Sequence, residues 1–420
     1  MSTIFAAETI EHHGCPIVLH RLVGPEASEL FFTCKPPAGR AGASEQAEAV
    51  YQAVRDLLRE RGATPANIVS ETVFLREQQV NIDAVRAARQ RVFANNTNAA
   101  AGSAVNTSSH SATHHASITE IEQAPLDAQA WLEISVQAVL PLKNTAGNAL
   151  QITTASPACA CTECARSQGL LVHMGHESRL YSGALYGPGN NAYEQTQAMF
   201  AFAEQMLEQA NMGFGDVVRT WIYLREMERD YASLNRARRE FFNQRNIHPP
   251  PASTGIGAGL VPDNHDLCLV VYAVKGTPSP QRTLMTTPTL NEAPSYGADF
   301  SRGMRVAESN RDALFVSGTA SLDETGKSVN INDLEAQAAR MVLNVTELLK
   351  AQGAGFGDIV SAVTYLKHAQ DADRLTGKLQ EQGFTGFANT MVEAPVCRPE
   401  LLCECEVLAI LPRGQACQNE

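Results

Sequence analysis

The residue types able to do chemistry gather near the C-terminal end of this chain. In "VCRPELLCECE", from Val396, two carboxylates alternate with two thiols. On a strand, Glu404 and Glu406 fall on one face and Cys403 and Cys405 on the other. A glutamate at a cleft-facing strand position loses solvation, and its pKa rises toward that of a general acid working at neutral pH. A glutamate on a strand edge stays in water and ionised, as most carboxylates do. The residues alone leave both readings open. Cys397 precedes Glu404 with Cys–x6–Glu spacing. "CACTEC" (Cys159, Cys161, Cys164), with His173 and His176 close behind, has metal-like spacing. It lacks the second well-spaced ligand pair that structural zinc uses, so no metal is expected.

The elements that must position these groups are marked by a repeat. "GFGDVVRTWIYL" from Gly213 and "GFGDIVSAVTYL" from Gly355 are nearly the same phrase, and "TPANIVSETVFL" from Thr64 is a fainter copy. Their spacing is domain-sized. An amphipathic helix precedes each phrase, and in the third copy Met341, Val345, Leu348 and Leu349 form the apolar stripe. The phrase itself, rich in Val, Ile, Thr and Tyr, predicts a strand. "GFGD" follows a helix and opens a strand, the reverse of a phosphate loop, and predicts a helix C-cap turn. A second helix and a closing strand pair follow. Each module is thus expected to run roughly β-β-α-β-α-β-β, with helices on one sheet face: an α+β fold.

Boundaries fall at 1–143, 144–277 and 278–420, with short linkers near 143–150 and 277–290. Residues 94–117, rich in Ser, Thr, Asn and Ala, predict a loop inside module one. Its histidines are expected to be solvated.

The chain has 420 residues, 44% of them apolar, which is enough for two or three cores. Basic residues number 33 against 45 acidic, a formal charge of −12, which argues against a nucleic-acid partner. No apolar run is long enough to span a membrane. The opening "MSTIFAAETIEHHGC" has no signal-peptide pattern. The ten cysteines therefore predict reduced thiols and a cytoplasmic protein.

Each module resembles the YjgF family, the reactive-intermediate imine/enamine deaminases, whose members assemble as trimers with active sites between subunits. The resemblance implies three chorismate-mutase-like modules in one chain: an intramolecular pseudo-trimer, most simply a monomer. In that family an arginine on the strand pair grips the substrate carboxylate. Here Ile118, Ser253 and Asn389 stand at that position, in "ITEIE", "STGIG" and "NTMVE", and none can make the bidentate fork.

Modules two and three together resemble the chorismatases. The matching text is "RTWIYL" with "YASLNRARREFF", then "PPASTGIGAG", "SYGADFSRGMRV", "LFVSGTASL", "KSVNINDLEAQ" and "VCRPELLCECE", in order. This likeness implies a cleft between modules two and three that cleaves chorismate and releases pyruvate, without metal or organic cofactor. Protonating the enol ether needs an acid, for which the likeness implies Glu404. The Cys397–x6–Glu404 pair resembles that of members forming 3-hydroxybenzoate. Arg302 and Arg305, with Arg398 and Arg219 behind them, become candidates to hold the two carboxylates. Tyr223 and Tyr296 are candidate donors. Gly318 and Ala320 are expected to let the backbone approach the ring. Gly257 replaces the glutamate found at Glu122 and Glu393 and is expected to widen the cleft. Two alternatives remain: a deaminase-like enzyme on another carboxylate, and a ligand-binding protein without catalysis.

Overall fold

The computed structural model describes residues 2–39, 42–94, 117–142, 150–156, 168–292 and 299–413. Tyr296, the three CACTEC cysteines and nearly all of the 94–117 segment lie outside these. Ser117 itself opens a strand rather than closing a loop.

The apolar periodicities become elements in the expected places. The first module runs β1 (Thr3–His12), β2 (Cys15–Val23), β3 (Ala27–Cys34), α1 (Ala43–Glu60), β4 (Ile68–Leu75), α2 (Gln78–Ala94), β5 (Ser117–Glu122) and β6 (Leu132–Pro141). The second has β7 (Gln151–Ala155), β8 (Gly169–Met174), β9 (Glu177–Ser182), α3 (Ala192–Gln209), β10 (Val217–Leu224), α4 (Met227–Arg245), β11 (Ala252–Gly257), β12 (Gly259–Leu260) and β13 (Leu267–Gly276). The third has β14 (Gln281–Leu284), β15 (Gly303–Ala307), β16 (Arg311–Ala320), α5 (Leu334–Lys350), β17 (Ile359–Leu366), α6 (Ala372–Glu381), β18 (Asn389–Glu393) and β19 (Cys403–Pro412).

The three sheets share one topology. Their orders are β1-β2-β3-β6-β4-β5, β7-β8-β9-β13-β10-β11 and β14-β15-β16-β19-β17-β18, with β12 added to the edge of the first. Each module opens with three strands, one more than the sequence suggests. The extra strands β1, β7 and β14 are edge strands, half in water, so their side chains carry little apolar alternation. In each module a helix crosses over between two parallel strands: β4 to β5, β10 to β11 and β17 to β18.

The repeated phrase supplies the central strands β4, β10 and β17. Its first residues form a turn of 3₁₀ helix of their own, after the helix cap. There the side chain of Asn67, Asp216 or Asp358 accepts a hydrogen bond from the backbone N–H of Thr64, Gly213 or Gly355, at 3.0, 2.9 and 2.8 Å. The stripe of α5 is fully buried, with Met341, Val345, Leu348 and Leu349 each 0% exposed.

Each module touches both others. At one end three homologous corners meet. Gln123 Nε2 donates to the Gly257 carbonyl (2.7 Å), the Gly257 N–H to the Pro395 carbonyl (2.8 Å), and the Glu393 N–H to the Ala124 carbonyl (2.8 Å). At the other end is a buried ionic cluster. Arg179 of module two contacts Glu29 of module one, its own Glu177 and Glu308 of module three, and Arg311 contacts Glu29 and Glu308. Between these ends, an apolar cluster joins residues such as Val69, Tyr272 and Phe315 from the three sheets. A central cavity of about 130 Å³ lies among β4, β6, β10, β13, β17 and β19.

Candidate active site

A cleft of about 140 Å³ lies between modules two and three. Helix α4 supplies one wall through Tyr231, Leu234, Asn235 and Arg238, a single face at helical spacing. Strand β11 adds Ser253 and Gly255, and the approach to β15 adds Phe300 and Arg302. Module three closes the cleft with Gly318, Ala320, Cys397, Arg398 and Glu404.

Glu404 is placed by strand pairing. It lies opposite Ala320 of β16 and Tyr365 of β17. Between Val316 and Thr319 the β16–β19 register shifts by a bulge, and the extra residue turns Gly318 onto the carboxyl. A Cβ on Gly318 would lie 2.0 Å from Glu404 Oε1, so any larger residue there must displace the carboxyl. Cys397 Sγ donates toward Glu404 Oε2 across 3.8 Å.

Glu404 is 3% exposed. Burial, and next the nearby Glu406, push its carboxyl up to about 8, against the opposing pull of Arg302, Cys397 and Arg219. It is therefore a protonated acid at neutral pH. Burial also pushes the Cys397 thiol well up, so it stays an S–H group.

Three guanidinium groups line the same cleft. Arg302, 2% exposed, donates from Nε to the Asn291 carbonyl (2.8 Å) and from Nη2 to Asn291 Oδ1 (3.3 Å). Arg398 Nη1 donates to the Gly326 carbonyl at 2.8 Å and to Ser328 Oγ at 3.2 Å. Arg238 Nη2 donates to Asn235 Oδ1 at 2.6 Å. Arg238 and Arg302 also stand over the Phe300 ring, 5.7 and 5.5 Å from its centroid. One neutral acid among three cations suits a ligand with two carboxylates. Tyr231, Asn235 and Cys397 also face an outer chamber that includes Arg236 and Arg239.

The structure brings Glu404, Cys397, Arg302, Arg398, Gly318 and Ala320 together. It places the others elsewhere. Arg305 pairs with Asp312 across the β15–β16 ladder, and its Nη1 lies 3.5 Å from Gln352 at the end of α5. Arg219 and Tyr223 point from β10 into the central cavity, on the far side of the strand from the cleft. Gly257 sits at the three-module corner, where a Cβ would lie 2.6 Å from Pro395. It permits module contact rather than widening the cleft, whose lining glycine on β11 is Gly255. Glu122 and Glu393, at the equivalent position, accept hydrogen bonds from the N–H groups of Gln78 and Ala369 at the next helical turn, both at 2.9 Å.

Sequence reasoning missed Tyr231, Asn235, Arg238, Phe300 and Ser253. The α4 set carried a usable signal, since Tyr231, Leu234, Asn235 and Arg238 share a helical face within "YASLNRARREFF". The register places Glu133 of β6 and Cys268 of β13 at the position equivalent to Glu404. Burial pushes Glu133 up to about 7, with Lys35 and Thr390 opposing. Among the described residues, no group of three His, Cys, Asp or Glu side chains could hold a metal ion. No helix there is long and apolar enough to cross a membrane.

Known proteins share the fold of these modules. A crystal structure of chorismatase superposes with a TM-score of 0.56 and 15% identity, over 82% of this chain and 93% of that one. The two thus share a fold at low identity. A RutC family protein of Pyrococcus abyssi (strain GE5 / Orsay) is 28% identical over 120 residues, which is 28% of this chain and 91% of the relative. One of Saccharolobus solfataricus is 31% identical over 83 residues, 20% of this chain and 63% of the relative. The Endoribonuclease L-PSP model matches twice, over residues 154–275 and 290–411. Two matched copies spanning more than half the chain, on one repeated sheet topology, make this chain a member of the Endoribonuclease L-PSP family, with the fold of a chorismatase built from YjgF-like modules.

Proposed function

We propose that this protein is a chorismatase that converts chorismate to 3-hydroxybenzoate and pyruvate. The observation that carries the reading is Glu404: a buried carboxylic acid, still protonated at neutral pH, in a cleft that three arginines line. The shared fold with a chorismatase supports it.

Chorismate is a dianion with an enol ether. Arg302, Arg398 and Arg238 would hold its two carboxylates by charge-assisted hydrogen bonds. The Glu404 carboxyl gives its proton to the terminal methylene carbon of the enol ether. The electron pair of that double bond forms the new C–H bond, and positive charge develops on the ether carbon. The resulting Glu404 carboxylate faces that charge and Arg302. The oxygen of the neighbouring ring hydroxyl then attacks the ether-bearing ring carbon as its C–O bond breaks, the side chain leaving as pyruvate and the hydroxyl proton returning to Glu404. The three-membered ring so formed opens at the older of its two C–O bonds and its oxygen takes up a proton from Glu404, while the carbon that lost pyruvate gives up its hydrogen as a proton to Glu404, and the ring aromatises with the oxygen on that carbon. Chorismate divides into 3-hydroxybenzoate and pyruvate with no net water, so the atoms balance. A diene product would consume one water instead. Cys397, beside Glu404 at the ring, would favour the aromatic branch by occupying the place from which water would attack.

The modules are taken as residues 1–143, 144–277 and 278–420, and the chain as a cytoplasmic monomer whose modules stand in for a trimer.

Purified protein is incubated with chorismate and the products are separated by chromatography. Pyruvate with 3-hydroxybenzoate from wild type, and neither from Glu404→Gln, is the expected result. Pyruvate with a diene acid would keep the acid and overturn the product. Chorismate left intact by wild type would overturn the reading.

A further inference from the structure

Beside Glu404, a buried ion pair bridges modules two and three and has no part in the proposed proton transfer. Glu406 is two residues along β19 and turns into the central cavity, where it lines the wall with Arg219 and Trp221 of β10. Arg219 Nη2 donates to Glu406 Oε2 at 2.8 Å, and Trp221 Nε1 donates to Glu406 Oε1 at 2.7 Å. The Arg219 guanidinium also stands 4.7 Å from the Trp221 ring centroid. Both charges are buried: Arg219 is 2% exposed and Glu406 7%.

The pair is wired to the cleft. Arg219 Nη2 also donates to Thr254 Oγ1 at 2.5 Å. Thr254 Oγ1 accepts a second hydrogen bond, at 2.9 Å, from the N–H of Gly318. Gly318 is the bulge residue pressed against the Glu404 carboxyl, and the Thr254 methyl packs beside it, 3.1 Å from where a Cβ would be. A continuous path therefore runs Trp221–Glu406–Arg219–Thr254–Gly318–Glu404, crossing from module two to module three twice.

We propose that Glu406, Arg219 and Thr254 are positioning residues for Glu404, fixing where its carboxyl lies and, through the Glu406–Arg219 pair, the net charge it faces. The inference rests on Glu404 being the acid of the proposed reaction.

Several other groups lie near Glu404 or act on it through charge. From its own strand come Glu406, with the Cys403 and Cys405 thiols behind. Across the cleft stand Arg302 and Cys397, with Arg238 and Arg398 on the walls. From β10 and β17 come Arg219 and the Tyr365 phenol. Among these, Glu406 is the one negative charge raising the Glu404 carboxyl, and it acts second only to burial. Its partner Arg219 pulls the other way.

The signs follow. Glu406→Gln removes a negative neighbour and leaves Arg219 uncompensated. Glu404 then ionises more readily. Arg219→Met combined with Glu406→Gln removes both charges and restores the balance. Thr254→Val keeps both charges and deletes the oxygen shared by Arg219 and Gly318.

The test is the pH profile of kcat/KM on chorismate, with kcat and thermal midpoint measured alongside. In Glu406→Gln the alkaline limb is expected to move down by about one pH unit or more. In the double variant it should return toward wild type. Thr254→Val should lower kcat and leave the limb in place. A limb unmoved in Glu406→Gln, or not restored in the double variant, would overturn the electrostatic role. Full kcat in Thr254→Val would overturn the positioning role. A ¹³C-carboxyl titration of glutamate-labelled protein, with Glu404 assigned by its loss in Glu404→Gln, needs no substrate. It reads the same downward shift even if chorismate is not turned over, which separates failure of this proposal from failure of the functional one.

Discussion

Glu404 carries opposite demands on stability and on chemistry. Its carboxyl sits at about 8 when folded, against a carboxylate's usual 4.5. Between those values the folded state binds a proton that the unfolded chain has released. Stability is therefore lost as pH rises from near 4.5 toward 8, and the loss is complete above that. Glu404→Gln removes this dependence, so its thermal midpoint should exceed that of wild type at pH 8, with the gap closing by pH 5. Equal midpoints at both pH values would show that the carboxyl is not held neutral. Gly318 tests geometry instead. An added methyl would lie 2.0 Å from Oε1, so Gly318→Ala must push the acid aside. Its kcat is expected to fall by about a hundredfold, since ångström-scale misplacement of a reacting group has that effect. A thermal midpoint near wild type would separate misplacement from unfolding.

At the scale of elements, two devices build the cleft. One is the bulge in β16, which bends a strand end toward Glu404. The other is the face of α4 that carries Arg238 across the module boundary. Arg238→Met keeps the length of the side chain and its packing on Phe300 while deleting the charge. KM for chorismate should rise roughly ten- to hundredfold, the worth of one hydrogen bond to a charged group. Steady-state kinetics would show it, and an unchanged KM would remove Arg238 from substrate binding. The phrase repeated in each module belongs to this scale as well. It makes a turn that starts the central strand, and Asp358→Ala should cost about 1 kcal/mol, as loss of a cap does, in denaturant unfolding.

The whole molecule is held at one end by charge. Burial alone would push the Glu29 carboxyl up, but Arg179 and Arg311 more than offset it and hold it at about 2. A carboxyl depressed in this way stabilises the fold fully above the usual carboxylate pKa. That contribution is lost as pH falls from near 4.5 toward 2. Arg179 touches carboxylates from three modules, so Arg179→Met strands buried charge in each. A loss of about 3–5 kcal/mol at neutral pH is expected from breaking such a cluster. Denaturant unfolding at pH 7 and pH 4 would check it, because protonation of the stranded carboxylates should shrink the loss at the lower pH.

The sequence by itself determined the modules and most of their elements. Helices and central strands bury a regular apolar stripe, and that periodicity repeats wherever the fold repeats, so "GFGDIVSAVTYL" and the stripe of α5 could be read directly. Through its likeness to a known family the sequence also singled out Glu404, Cys397, Arg302 and Arg398, which share one cleft, together with Arg305, Arg219, Tyr223 and Gly257, which do not line it. The edge strands β1, β7 and β14 escaped because half-solvated strands have little pattern to show. What the tertiary structure alone decided is where each arginine points. Arg302 and Arg305 are three residues apart, yet one lines the cleft and the other pairs with Asp312. Arg219 and Tyr223 occupy strand positions that face the cavity at the centre, and Gly257 meets Pro395 at a corner of three modules. Those outcomes depend on how three sheets close against one another. That closure is set by contacts between residues more than a hundred positions apart, such as Arg219 and Glu406 or Gln123 and Gly257, and no local pattern encodes them.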